Sequence, residues 1–134
     1  MKRSPIQLPM GLLAVGLLAL VIPSTALAGE AAEGKKTYDV LCTACHGVTG
    51  RGDGPAAAAL DPPARNFASG EFKFDADKDG ATGTDEDLHI VIRKGGAAFG
   101  GSPIMVPWMH LSDAEVTNLI AYIRSLETSR TSRN

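Results

Sequence analysis

Cysteine occurs only twice in this sequence, as Cys42 and Cys45, which leaves a four-ligand structural zinc site without its donors. A long apolar run is also missing. The most hydrophobic stretch, Met10 to Ile22, continues for about a dozen residues, where a bilayer crossing needs roughly 18 to 20. No dense stripe of Lys and Arg suited to neutralising phosphates is present, so nucleic acid is not an expected partner. No internal repeat is found.

What is present has an ordinary globular balance, 44% apolar and 21% charged residues, enough for one domain of about a hundred residues once an export segment is set aside. Residues 1–28 have the layout of that segment: Lys2 and Arg3 open it, the apolar run follows, and Ala26-Leu27-Ala28 closes it, as in a secretory signal peptide cleaved after Ala28. Residues 29–134 then form the exported domain, with no stable membrane insertion expected. Cleavage removes two of the 13 basic residues and none of the 15 acidic ones, which moves the formal charge from -2 to -4. A partner with a basic docking face is the electrostatic complement.

The periodicities predict helices only. Glu30 to Leu41 has helix-forming composition with Tyr38 and Leu41 three apart, although Gly34 inside it costs about 1 kcal/mol relative to Ala. Gly47 to Pro63 is rich in Gly and Pro and reads as loop, with one or two helical turns over Ala56 to Leu60 opened by Pro55. Thr84 followed by Asp85, Glu86 and Asp87 reads as an N-cap with acids in the first turn, starting a helix from Asp85 to about Lys94 with Leu88, Val91 and Ile92 on one face. Glycines and prolines from Gly95 to Pro107 place Met105 on irregular chain. Ser112 and Glu115 form a capping box for a last helix whose Val116, Leu119, Ile120 and Ile123 share a face. The tail after Glu127 is polar and expected to fray.

Cys42-Thr43-Ala44-Cys45-His46 is a C-x-x-C-H run, the attachment signature of c-type haem. Two thiols three residues apart at the end of a helix can reach the two vinyl groups of one porphyrin, while the adjacent imidazole is aimed at the iron. A thioredoxin-like redox pair competes for the same residues, but it would follow a strand, and no strand-rich flank surrounds Cys42.

With CTACHG near its front and LSDAEVTNLIAYIRSL at its back, the chain beyond residue 28 resembles a class I bacterial c-type cytochrome, monohaem and soluble. The resemblance implies an all-α cytochrome c fold, with crossed N- and C-terminal helices and loops around one haem. It pairs Gly34 and Tyr38 on the first helix with Leu119 and Tyr122 on the last. It also implies covalent attachment through Cys42 and Cys45, iron ligation by His46, and a methionine as sixth ligand. Met105-Val106-Pro107-Trp108 resembles the family's Met-x-Pro-aromatic segment, which selects Met105 over Met109, His89 and His110. The departure from the commoner Met-Pro spacing keeps Met109 as a competitor. The family ties the second ring nitrogen of the proximal histidine to a backbone carbonyl, for which Pro55 is the expected source, with Pro62 or Pro63 as substitutes. Trp108 is expected beside the haem, either in ordinary packing or with its indole N–H turned to a propionate.

A second metal pattern lies between these parts. Asp75, Asp77, Asp79, Gly80 and Glu86 match the spacing of a D-x-D-x-D-G-x5-E calcium loop, although Gly70 to Phe74 does not read as an entering helix and Glu86 serves equally as a first-turn acid.

The expected function is periplasmic electron transfer between redox proteins, without catalysis, through a haem whose two axial positions are filled. A haem enzyme or sensor with a labile sixth ligand, and an electron-transfer subunit of a larger oxidoreductase, are the alternatives. So loop-rich a chain is expected to be poorly ordered without its haem.

Overall fold

The computed structural model describes residues 25–127, so most of the expected signal peptide lies outside the described residues. Four α-helices follow in order: α1 (Thr25–Leu41), α2 (Thr43–His46), α3 (Asp85–Lys94) and α4 (Asp113–Ser125). Two single 3₁₀ turns, Ala57–Ala59 and Gly96–Phe99, interrupt the loops. The fold is all-α; among the described residues no strand occurs. Helix α1 starts at Thr25 rather than Glu30, because Thr25-Ala26-Leu27-Ala28 holds Ala and Leu, the residues that most favour helix, and contains nothing to stop it.

The dominant packing is α1 across α4. At the crossing Gly34 lies so close to α4 that a Cβ built on it would stand 1.8 Å from the Asn118 carbonyl oxygen. The helix tolerates the propensity cost of glycine because only glycine lets the two backbones meet. One turn on, the Tyr38 ring is fully buried and meets Tyr122 edge-on at 5.0 Å, beside the buried Leu119 and Val116. The Tyr38 hydroxyl donates to the Gly47 carbonyl at 2.7 Å, so the polar end of a core side chain is satisfied by the turn that follows the cysteines.

Helix α3 packs on α4 through Leu88 and Ile92. Both α3 and α4 begin with a full capping box: Thr84 with Asp87, and Ser112 with Glu115. Arg124 ties the end of α4 to the start of α3, donating to the Asp85 carboxylate at 2.8 Å and to the Gly83 carbonyl at 2.6 Å.

The calcium loop expected at Asp75, Asp77, Asp79 and Glu86 is not formed. The carboxylates that converge are Asp75, Asp77 and Asp87, with ligand atoms within 4.8 Å of one another, while Asp79 and Glu86 stand outside. Helical phase explains the exchange, since successive residues on α3 point about 100° apart and it is Asp87 that turns inward, leaving Glu86 exposed. Asp87 is already occupied: it accepts from the Ala76 and Asp77 N–H groups on one oxygen, and from the Thr84 N–H and hydroxyl on the other, at 2.8 and 2.9 Å. It works as a clasp that staples residues 75–77 to the cap of α3, with both of its oxygens engaged by protein donors. Burial alone would raise the Asp87 pKa, but the hydrogen bonds from Thr84, Ala76 and Asp77 outweigh it and hold the carboxyl below its ordinary value.

Three outcomes are expected. Gly34→Ala gains about 1 kcal/mol of helix propensity against an overpacking cost of about 3 kcal/mol, so the variant should lose about 2 kcal/mol in denaturant unfolding; an unchanged midpoint would mean that the helices do not meet at Gly34. A depressed folded-state pKa gives stability that is fully present above the unfolded value of about 4 and lost as pH falls from there through the lower folded-state value. Asp87→Asn should therefore unfold more easily at neutral pH, by about 1–3 kcal/mol, and should show a shallower loss of stability on acidification. Melting with calcium and with a chelator should give the same midpoint; a rise with calcium would restore the metal reading.

Candidate functional site

The turn that carries the two cysteines is held from both sides. The Cys42 N–H donates to the Tyr38 carbonyl at 2.9 Å and the His46 N–H to the Cys42 carbonyl at 2.9 Å, so helical geometry continues from α1 into α2 and sets Cys45 and His46 one turn beyond Cys42. The chain then doubles back over it. Gly52, Gly54 and Ala56 donate to the carbonyls of His46, Cys45 and Ala44 at 2.8, 3.2 and 2.8 Å. A Cβ on Gly54 would lie 2.3 Å from the Ala44 oxygen, which is why this wrap needs glycine.

Cys42 and Cys45 are unbridged and border the same cavity as His46. Burial first, and the neighbouring Cys45 second, push the Cys42 thiol up to about 12. A thiol so far from ionisation at neutral pH is a poor thiol–disulfide nucleophile, which weakens the redox-pair reading.

His46 is buried, 9% exposed, with its ring stacked on Phe67 at 4.3 Å and 15°. Its Nδ1 pairs with the Arg65 carbonyl oxygen at 3.1 Å. With Nδ1 as the donor, Nε2 carries the free lone pair, and it has no protein partner among the described residues. Burial lowers the His46 pKa and outweighs the raising effect of the Arg65 bond, so the imidazole is neutral and ready to bind a metal. The expected acceptor was Pro55, with Pro62 or Pro63 in reserve; the structure corrects all three to Arg65. The reason is topological: residues 52–56 are spent wrapping the α2 turn, and only the returning segment, where Phe67 N–H bonds the Gly50 carbonyl, reaches the imidazole.

Met105 forms the facing wall. Its carbonyl accepts from Gly96 at 2.9 Å and its N–H donates to Ser102 at 3.1 Å, which fixes an otherwise irregular segment. Gly95 and Gly96 make room for it: a Cβ on Gly95 would stand 2.7 Å from the Met105 oxygen, and one on Gly96 would stand 3.5 Å from the Met105 sulfur. The rival ligands lie elsewhere. Met109 is 75% exposed, His89 sits on α3 with Nε2 3.6 Å from Asp113, and His110 is exposed with its ring edge-on to Trp108 at 5.7 Å.

Three cavities, of about 70, 70 and 230 Å³, are each bordered by both His46 and Met105. Their walls divide by chemistry. Cys42, Cys45, Ile104 and Trp108 border one space only, and Arg65 and Lys73 border the other two. Neither Arg65 nor Lys73 has an anionic side-chain partner among the described residues. A haem fits this donor set: apolar walls for the ring, two thiols beside one space, an imidazole and a thioether bordering the same cavities, and two unpaired cations for its carboxylates. Trp108 borders the cysteine end, away from those cations, so packing is its part. Sequence reasoning missed Arg65 and Lys73, because no spacing rule marks a cation in a loop.

A family model described as cytochrome c matches residues 31–127. The chain is 35% identical over 103 residues to cytochrome c-554(547) of Halothiobacillus neapolitanus, an alignment that covers 75% of this chain and all of that protein. It also superposes with a TM-score of 0.62, at 32% identity, on a chain of the reducing HAO-like protein complex of Kuenenia stuttgartiensis. That match covers 76% of this chain and 44% of the other, so the present chain spans less than half of that relative. The walls of the cavity, the crossing of α1 on α4 and these relatives lead to one conclusion: the chain belongs to the cytochrome c family.

Proposed function

We propose that the protein is an exported electron carrier in which Cys42 and Cys45 bond one haem c, and His46 and Met105 hold its iron. The observation that carries this reading is that every one of the three central cavities is bordered by both His46 and Met105, whereas Met109, His89 and His110 border none of them.

Each side chain then has a definite task. His46, its Nδ1–H held by the Arg65 carbonyl, presents Nε2 in one tautomer and one orientation, and the hydrogen bond raises its donor strength. Met105 closes the other side with a thioether, which favours a higher reduction potential than a second imidazole would. Arg65 and Lys73 offset carboxylate charge at the opposite end from the cysteines. The bound haem supplies one-electron chemistry. With His46 and Met105 both holding it, the group would leave no position for a substrate and would serve one-electron transfer between partners. Ile104 and Val106, on either side of Met105, are 52% and 48% exposed and give redox partners a small apolar contact rimmed by polar surface.

Residues 1–28 are the export signal in this reading, which places the mature protein in the periplasm. Among the described residues no helix is long and apolar enough to cross a membrane. A second reading, an electron-transfer subunit of a larger oxidoreductase, is supported by the likeness to a chain of the HAO-like complex. It keeps the same ligand set and adds a permanent partner.

The test is a visible spectrum of protein expressed with haem-attachment machinery, beside Met105→Ala. The expected result is a c-type reduced spectrum in both, with a weak far-red methionine-to-iron band in the oxidised native form that the variant lacks. A native protein without haem would defeat the proposal, and one with haem but an open or exchangeable sixth position would turn it into the ligand-binding alternative.

A further inference from the structure

The geometry points to Arg93 as a positioning residue that keeps the methionine loop shut and so sets how readily Met105 leaves the iron. The inference rests on Met105 as the sixth ligand. From Gly100 to Leu111 the chain is not helical and makes few main-chain bonds of its own. What holds it is the last turn of α3 and the residues just after. The Ile92 carbonyl accepts from the Trp108 N–H at 3.0 Å, and the Gly96 N–H donates to the Met105 carbonyl at 2.9 Å. Arg93 adds the side-chain grip between them. Its Nη1 donates to the Met109 carbonyl at 3.1 Å and also to the Leu111 carbonyl, and its Nη2 pairs with the Asp113 carboxylate at the head of α4.

Neither of those carbonyls has another partner among the described residues. The Met109 side chain is largely in solvent, so burial does not hold that point of the loop; a charge does. The planar guanidinium meets two carbonyls and one carboxylate at once, which a point charge on a flexible stem does not reproduce. Asp113 aims it, and His89 stands behind the same carboxylate at 3.6 Å. Arg93 borders none of the three central cavities and acts only through the backbone that carries Met105.

Imidazole added to the oxidised, haem-loaded protein reads this directly. It binds iron only in molecules whose methionine has left, so its apparent affinity reports the open fraction of the loop. Arg93→Gln should raise that affinity about tenfold or more, the equivalent of a lost charge-assisted hydrogen bond, and Arg93→Lys should fall between the two. Ile120→Val, a small deletion in the buried face of α4, is the control for general loosening: it should lower the denaturant midpoint and leave imidazole affinity unchanged. Native affinity in Arg93→Gln would overturn the inference, as would an increase that Ile120→Val matches at equal loss of midpoint. If Arg93→Gln does not accumulate with haem, Asp113→Asn, which leaves the guanidinium unaimed, should give a smaller increase, and no increase would overturn the inference. The far-red band of the native protein, recorded first, separates the two ideas, because its absence removes Met105 as a ligand before any variant is compared.

Discussion

Everything in this fold is set by how closely two backbones can approach at Gly34. Because no side chain intervenes there, α1 and α4 cross in contact, and the crossing brings Tyr38 against Tyr122 and Leu119 one turn later. Tyr38 in turn reaches past the cysteines to the Gly47 carbonyl, and its own carbonyl receives the Cys42 N–H and the Thr43 hydroxyl. The orientation of the α2 turn, and with it of Cys42, Cys45 and His46, is thus inherited from a contact eight residues upstream of the first cysteine. The chemistry of the site begins in a packing constraint.

The two walls of the site are built by different means. The histidine wall is double-skinned: a helical turn inside, and residues 52–56 bonded across its carbonyls outside. The methionine wall is a single irregular segment leaning on the end of α3. Such an arrangement concentrates main-chain hydrogen bonds on the side of Cys42, Cys45 and His46, and leaves Met105 on the side with fewer of them.

Features written in local signals were legible before any coordinates. The N-cap of α3 at Thr84, the capping box of α4, the apolar face of α4, the C-x-x-C-H turn and the glycine in α1 each depend on residues within a few positions of one another, or on a spacing with one physical meaning. The Met105 segment was singled out by resemblance, and the structure sets Gly95 and Gly96 beside it. Illegible features depended on the path of the chain. The partner of His46 is nineteen residues away across two loops, and no pattern says which carbonyl a loop will present on its return. The calcium spacing failed for a different reason: a linear motif places Glu86 at the closing position, but Glu86 lies in the first turn of a helix, and rotation by one residue hands the inward direction to Asp87. The early start of α1 at Thr25 follows from propensity alone, which set no boundary at Glu30.

The interior of this small domain is lined by Phe67, Leu88, Ile92, Ile123 and Met105, and all of them border the central cavities as well as packing on their neighbours. The cofactor is thereby a share of the hydrophobic core, as necessary to burial as any side chain. A polypeptide that did not receive it would lack that contact along the cavity walls, and the loss of a bound partner lowers the free energy that holds the fold against unfolding. Cofactor supply would then bear on how much folded protein persists, because a less stable chain is the one that proteases remove.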